Sequence, residues 1–297
     1  MNYSESLTSR AEKVGNIICV GLDPELDKLP STGCKEFENK QNEPGKAIAK
    51  FYINMLNAFV DSQVVPAIVK PNIAFYEQYG FEGLKALEQI IKECKILNIP
   101  FILDAKRGDI GKTSKAYAKA MFDVWKADAV TIAPYMGNDS VLPFIEYCEK
   151  GKGVYVLVRT SNKGARDFQN LFVNSSVNID GIDNQPLYMK VAQKLIEWYK
   201  PGVCAVVGAT SLQELEQISR YFVESGKEIP LLIPGVGAQG GSAKEVIQTL
   251  KRAGCDLSIH RINSSSGINY AYLDQKTDDY CGAAVKALKM LMEEARF

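Results

Sequence analysis

Residues capable of acid–base chemistry crowd into one short stretch of this chain, Phe101-Ile-Leu-Asp104-Ala-Lys106-Arg107-Gly108-Asp109-Ile110-Gly-Lys-Thr113. If the apolar Phe-Ile-Leu run is a strand, Asp104 and Lys106 lie two apart and project from one face, while Gly108 lets the chain turn and bring Asp109 near. A second lysine, Lys70, ends another apolar run, Ala67-Ile-Val-Lys70-Pro71-Asn72. An ammonium in that position is costly to desolvate unless a carboxylate meets it, so Lys70 should pair with Asp104 or Asp109. The simplest constellation is a tetrad of Lys70, Asp104, Lys106 and Asp109. Flanking carboxylates favour the charged form of an amine, which suits Lys106 to giving a proton rather than taking one. By default such a charge run is a solvated loop with incidental ion pairs. Its place directly after an apolar strand reverses that preference.

Two other stretches belong with the first. Cys19-Val-Gly21-Leu-Asp23-Pro24 ends an apolar run with an acid that can accept hydrogen bonds from sugar hydroxyls. Taken alone, a turn or cap role before Pro24 is the simpler account of Asp23. Ile233-Pro-Gly235-Val-Gly237-Ala-Gln239-Gly240-Gly241-Ser242 follows another apolar run and precedes a helix pattern. Glycines let backbone N–H groups approach an anion and the helix N-terminus adds its dipole, so this loop reads as a phosphate cradle.

These residues need a scaffold that collects strand ends. Eight runs rich in Val, Ile and Leu, over 16–22, 65–72, 100–104, 129–134, 153–160, 204–210, 231–235 and 256–263, alternate with segments of helical period. The early runs are continuously apolar, as in a parallel sheet covered on both faces. Eight β-α units in about 300 residues predict an α/β chain folded as one (β/α)8 barrel domain, in preference to a doubly wound open sheet. The charged residues then sit at the C-terminal ends of strands, where barrel enzymes keep their sites, and the glycine-rich loop follows strand seven, where many barrels bind phosphate. Two long polar connections, 24–45 and 162–185, lie on the same face. Lids and plain decoration are both open readings of them.

Composition removes other classes. The chain has 297 residues, enough to bury roughly 75% of its unfolded surface without disulfide or metal staples. Its 35 basic and 35 acidic residues cancel, which removes the bulk attraction that nucleic-acid and anionic-membrane binders use. No run approaches the roughly 18 apolar residues of a membrane span. The seven cysteines are scattered, with no Cys-x-x-Cys pair, and the one histidine, His260, cannot build a multi-histidine metal site. The opening Met-Asn-Tyr-Ser-Glu-Ser-Leu lacks the layout of a secretory signal, and a cytoplasmic protein with reduced thiols is expected.

The motifs taken together resemble orotidine 5′-phosphate decarboxylase, in particular its longer bacterial subgroup. The likeness is carried by Val20-Gly-Leu-Asp23-Pro24, by Val69-Lys70-Pro-Asn-Ile-Ala-Phe-Tyr-Glu-Gln-Tyr-Gly80, and above all by Asp104-Ala-Lys106-Arg-Gly-Asp109-Ile-Gly-Lys-Thr113. Pro134-Tyr-Met-Gly137, Arg159-Thr-Ser161-Asn162 and Pro234-Gly-Val-Gly-Ala-Gln239-Gly240 extend it over nearly the whole chain. The resemblance implies conversion of orotidine 5′-monophosphate to UMP and CO2 without metal or organic cofactor, on a barrel that dimerises with shared active sites. It implies that Lys70, Asp104, Lys106 and Asp109 are catalytic, with Lys106 the proton donor. It also implies that Asp109, Ile110 and Thr113 reach into the partner subunit's site. Asp23 would contact ribose, Ser161 the pyrimidine amide, and Gln239 would bridge to phosphate, with Gly240 beside it.

One departure bears on activity. Where the family typically ends strand eight with Asn-Ser-Ser-Arg-Gly, this chain has Asn263-Ser264-Ser265-Ser266-Gly267. Replacing a charge-assisted contact to phosphate by one neutral hydrogen bond at Ser266 costs roughly 2–4 kcal/mol. Arg261 and Lys163, the latter standing where the family usually has proline, are candidates to compensate. The alternative reading is therefore a nucleotide-binding paralogue with weakened or lost turnover. A third is a metal-dependent relative acting on sugar phosphates.

Overall fold

The computed structural model describes residues 1–31, 35–178, 181–237 and 240–296. Each expected apolar run forms a strand: β1 (Ile18–Leu22), β2 (Ile68–Pro71), β3 (Ile102–Arg107), β4 (Ala129–Ile132), β5 (Gly153–Arg159), β6 (Val203–Val207), β7 (Leu231–Ile233) and β8 (Arg261–Ser264). They pair in parallel in the order β2-β1-β8-β7-β6-β5-β4-β3. Bridges Val69–Phe101 and Asn72–Asp104 join β2 to β3 and bring the ring round on itself, so the fold is the (β/α)8 barrel.

Burial follows the two-residue period of the strands. On β1, Ile18 and Val20 pack outward into the large core shared with the helices, while Cys19 points into the barrel. There Cys19 meets Ile68, Ile102, Tyr155, Cys204 and Leu232, a filled interior rather than a pore. Helix Tyr3–Val14 closes the N-terminal end by inserting Tyr3 and Leu7 into that interior. It is started by a capping box in which Glu5 N donates to Asn2 Oδ1 (2.9 Å) and Asn2 N donates to Glu5 Oε2 (2.8 Å). The outer helices expected from the 3.6-residue period form as well, among them Pro44–Asp61, Gly80–Ile96, Leu212–Glu224 and Ala243–Ala253.

Three differences from the sequence expectation have local causes. Strand β3 does not stop at Asp104 but runs on to Arg107, because β3 and β4 lose register: Leu103 pairs with Val130, yet the next pairing is Arg107 with Ile132. Strand β8 begins at Arg261 rather than at 256, since the Asp256 side chain accepts from Ser258 N (2.9 Å) and winds a short 3₁₀ turn over Leu257–Ile259. The stretch 162–185 holds a 3₁₀ turn, Lys163–Asp167, and an antiparallel hairpin of Phe172–Asn178 with Gly181–Pro186 that lies outside the barrel sheet. Its abundance of Asn, Gly and Asp hid that strand pairing. The other long connection, 24–45, is tied to the barrel at Lys28, whose carbonyl accepts from the Tyr272 hydroxyl (2.6 Å).

Candidate active site

Three of the four expected charged residues meet at the barrel mouth. Asp104, 6% exposed, accepts from Lys70 Nζ at Oδ2 (3.0 Å) and from Lys106 Nζ at Oδ1 (2.7 Å). The two lysines arrive from adjacent strands, β2 and β3, and differ sharply in surroundings. Lys70 is buried, whereas 48% of the Lys106 side chain is exposed to the cleft. Burial opposes the charge on Asp104, but the ammonium groups of Lys70 and Lys106, with bonds from Lys106 and Thr131, outweigh it and hold the carboxyl well below the ordinary range. Burial likewise opposes the charge on Lys70, and the field of Asp104, aided by Asp23, more than offsets it and raises the pKa. The Cys19 thiol nearby is pushed up to about 12 by burial and stays neutral, donating to Asn263 Oδ1 (3.3 Å).

How β3 presents Lys106 differs from simple strand alternation. Asp104, Ala105 and Lys106 all fall in the register break opposite β4, and Lys106 has φ of +45°, a left-handed conformation that costs a non-glycine residue roughly 1–2 kcal/mol. The Lys106 N–H donates to the Thr131 hydroxyl (3.0 Å), and that hydroxyl donates to Asp104 Oδ1 (2.7 Å). Asp104 and Lys106 therefore do share a face, but a bulge brings them together.

The cleft above this cluster encloses about 430 Å³ and is lined by residues from several strand ends, including Asp23, Asn72, Ser161, Gly235, Asn263 and Ser266. Asp23 Oδ2 accepts from Ser265 Oγ (2.7 Å), and its Oδ1 is buried without a partner. That bond needs glycine at position 21, where a Cβ would lie 1.8 Å from Ser265 Oγ. Ser161 also lines the cleft, packed so closely on Gly208 that a Cβ there would fall 2.7 Å from the Ser161 Cα.

Other expected residues lie elsewhere. Asp109 does not join the cluster: its Oδ1 accepts from Ile110 N (2.7 Å), and no bond from it to Lys106 forms among the described residues. Ile110 and Thr113 are exposed beside it on the segment leaving β3. In the glycine-rich turn, the amides of Gly237, Gly240 and Gly241 all bond to carbonyls of the turn itself, so these three are not free for an anion. Gly240 does not line the cleft. Gln239 lies outside the described residues. Arg261 cannot stand in for the missing arginine near Ser266. Fully buried at the N-terminal end of β8, it donates to Ser258 O (2.8 Å), His260 O (2.6 Å) and Leu7 O (2.6 Å). Lys163 is exposed on the turn that follows the cleft-lining Asn162.

Sequence reasoning passed over Thr131, Asn72, Asn263 and Ser265 as site residues. The polar Thr131 inside the apolar run Ala129-Val-Thr-Ile132 was the available signal. No group of three or more metal-ligating side chains occurs among the described residues.

This geometry can be set beside known proteins. The chain is 40% identical over 283 residues to the orotidine 5′-phosphate decarboxylase of Janthinobacterium sp., covering 93% of this chain and 92% of that one. It is 38% identical over 298 residues to the enzyme of the same name from Halorubrum lacusprofundi, covering 98% and 97%. The solved UMP synthase of Leishmania donovani superposes with a TM-score of 0.75 at 33% identity, and this chain spans 57% of that longer one. Residues 17–276 match the orotidine 5′-phosphate decarboxylase / HUMPS family. With such identity along nearly its whole length, the chain belongs to that family.

Proposed function

We infer that this chain decarboxylates orotidine 5′-monophosphate to UMP and CO2. The observation that carries the reading is the Lys70–Asp104–Lys106 cluster at the mouth of a barrel in a chain of this family. Breaking the C6–carboxyl bond leaves its electron pair on C6, in an orbital that the ring does not delocalise, and nothing in the base itself spreads that charge. Lys106 is the group to stabilise it. Its ammonium attracts a localised carbanion more strongly than the delocalised carboxylate of the substrate, and that difference between transition state and ground state accelerates the step. A proton then passes from Lys106 Nζ to C6, and the amine recovers one from solvent through its exposed side. Asp104 stays ionised throughout and, with Lys70 behind it, orients the ammonium.

In the same reading Asp23 contacts ribose with its unpartnered Oδ1, Ser161 meets the pyrimidine edge, and Ser266, with Gln239, serves the phosphate, whereas Gly240, its amide bonded within the turn, has no part in it. Asp109, Ile110 and Thr113 act across a homodimer interface. The exposure of Ile110 and Thr113, and that of Tyr135 and Met136 (90% and 54%) on the segment leaving the neighbouring strand β4, supports such a contact. A monomeric mass by light scattering with full activity would count against it. We also read the chain as one domain of a cytoplasmic enzyme. Six unpaired cysteines among the described residues fit a reducing compartment, and no described helix is long and apolar enough to cross a membrane.

The direct experiment follows the loss of orotidine 5′-monophosphate absorbance with purified protein, with and without EDTA. Turnover that survives the chelator is expected. Turnover lost to EDTA would favour the metal-dependent relative. No turnover at millimolar substrate, with UMP still bound, would favour the inactive nucleotide-binding paralogue, for which Ser266 is the sole argument.

A further inference from the structure

Thr131 is the buried side chain at the site that touches both halves of the chemistry. It is 1% exposed on β4 and sits opposite the three β3 residues, Asp104 to Lys106, that the register break leaves without ladder partners on β4. A hydroxyl has one proton to give and lone pairs to accept with. Here the proton goes to Asp104 Oδ1 (2.7 Å), so the oxygen faces the Lys106 N–H (3.0 Å). The side chain thereby supplies what a β4 carbonyl supplies in an unbroken ladder, at the residue whose backbone is held at φ of +45°. The same Oδ1 also takes the bond from Lys106 Nζ (2.7 Å), so backbone, carboxylate and ammonium form one closed ring of contacts through Thr131.

We propose that Thr131 is a positioning residue for decarboxylation: its hydroxyl holds the Lys106 backbone in the bulge and the Asp104 carboxylate in register, and so aims the Lys106 ammonium at the reacting carbon. The proposal rests on the reading of Lys106 as proton donor. It predicts a loss that depends on the hydroxyl and not on side-chain volume. Thr131→Val keeps the shape and removes both bonds, while Thr131→Ser keeps the hydroxyl.

Steady-state kinetics and UMP titration of both variants provide the test. A misplacement of about 1 Å costs on the order of a hundredfold in rate, so Thr131→Val should lower kcat about a hundredfold with UMP affinity within about threefold, and Thr131→Ser should stay within about threefold of the parent in both. If Thr131→Val does not fold, Thr131→Ala, which also lacks the hydroxyl, must show the same split between kcat and KM. A kcat for the hydroxyl-free variant within about threefold of the parent overturns the proposal. So does a serine variant as slow as the valine one, because packing would then be the cause. Lys106→Ala, measured alongside, separates the two ideas: a dead Lys106→Ala with an unimpaired Thr131→Val refutes only the positioning role, whereas an active Lys106→Ala refutes the reading beneath it.

Discussion

Two lysines bond one aspartate, and the structure assigns them opposite consequences when removed. Lys106→Ala deletes an ammonium whose side chain is 48% exposed, and leaves Asp104 bonded to Lys70 (3.0 Å) and Thr131 (2.7 Å). An ion pair with one partner this open contributes about 0–1 kcal/mol, so the fold should barely notice. Lys70→Met instead removes the buried partner, 5% exposed, from an aspartate that is itself 6% exposed. Breaking a buried pair on one side costs about 3–5 kcal/mol, and the bonds kept by Asp104 place this case near the lower end. With roughly 2.1 cal/mol/K of unfolding entropy per residue over 297 residues, about 3 kcal/mol lowers Tm by about 5 °C. Calorimetric melts, UMP titration and the absorbance assay on both variants read the contrast. Lys106→Ala should melt within about 2 °C of the parent. It should bind UMP within about tenfold, or ~1.4 kcal/mol, and show no turnover. Lys70→Met should show the larger drop in Tm. Equal destabilisation by the two, or near-normal turnover with Lys106→Ala, would refute the division of labour.

Further outcomes follow from other sites. Burial lowers the His260 pKa to about 3, and its Nδ1 accepts from Leu231 N (3.0 Å), so the folded chain keeps a neutral ring. The unfolded chain takes up a proton below a pH of about 6.5 while the folded one resists until about 3, so stability should fall with decreasing pH across that window, by up to about 4–5 kcal/mol. Urea midpoints at neutral pH and near pH 4.5 should drop for the parent and less for His260→Gln, and equal drops would contradict this. The depressed Asp104 pKa works in the same direction lower down: its contribution is present above a pH of about 4 and is lost as pH falls through the folded value. Ser266→Arg should strengthen UMP binding by roughly 2–4 kcal/mol and leave uridine binding unchanged. A parallel gain for uridine would show that the arginine does not meet the phosphate. Gly21→Ala would place a Cβ 1.8 Å from Ser265 Oγ, breaking the Ser265–Asp23 bond at a cost of about 1–3 kcal/mol, and an unchanged melt would show that the strands give way freely.

Eight apolar runs of strand length, separated by helical periods, determined the barrel from sequence alone, since burial on both faces leaves a parallel strand little compositional choice. The same pattern placed Lys70, Asp104 and Lys106 at strand ends, because charges that directly follow apolar runs have nowhere else to go. Local composition misled where side chains redirect the backbone. Asp256 turned the start of β8 into a 3₁₀ turn, and the polar stretch 162–185 paired as a hairpin. What only the tertiary structure decided is which groups share bonds across strands distant in sequence. It left Asp109 on the outside, sent Arg261 to the far end of β8 to hold carbonyls, and let Thr131 bridge a register break. Periodicity says which face a residue takes. It says nothing about where two strands slip past each other, and at β3 and β4 that slip aims the lysine.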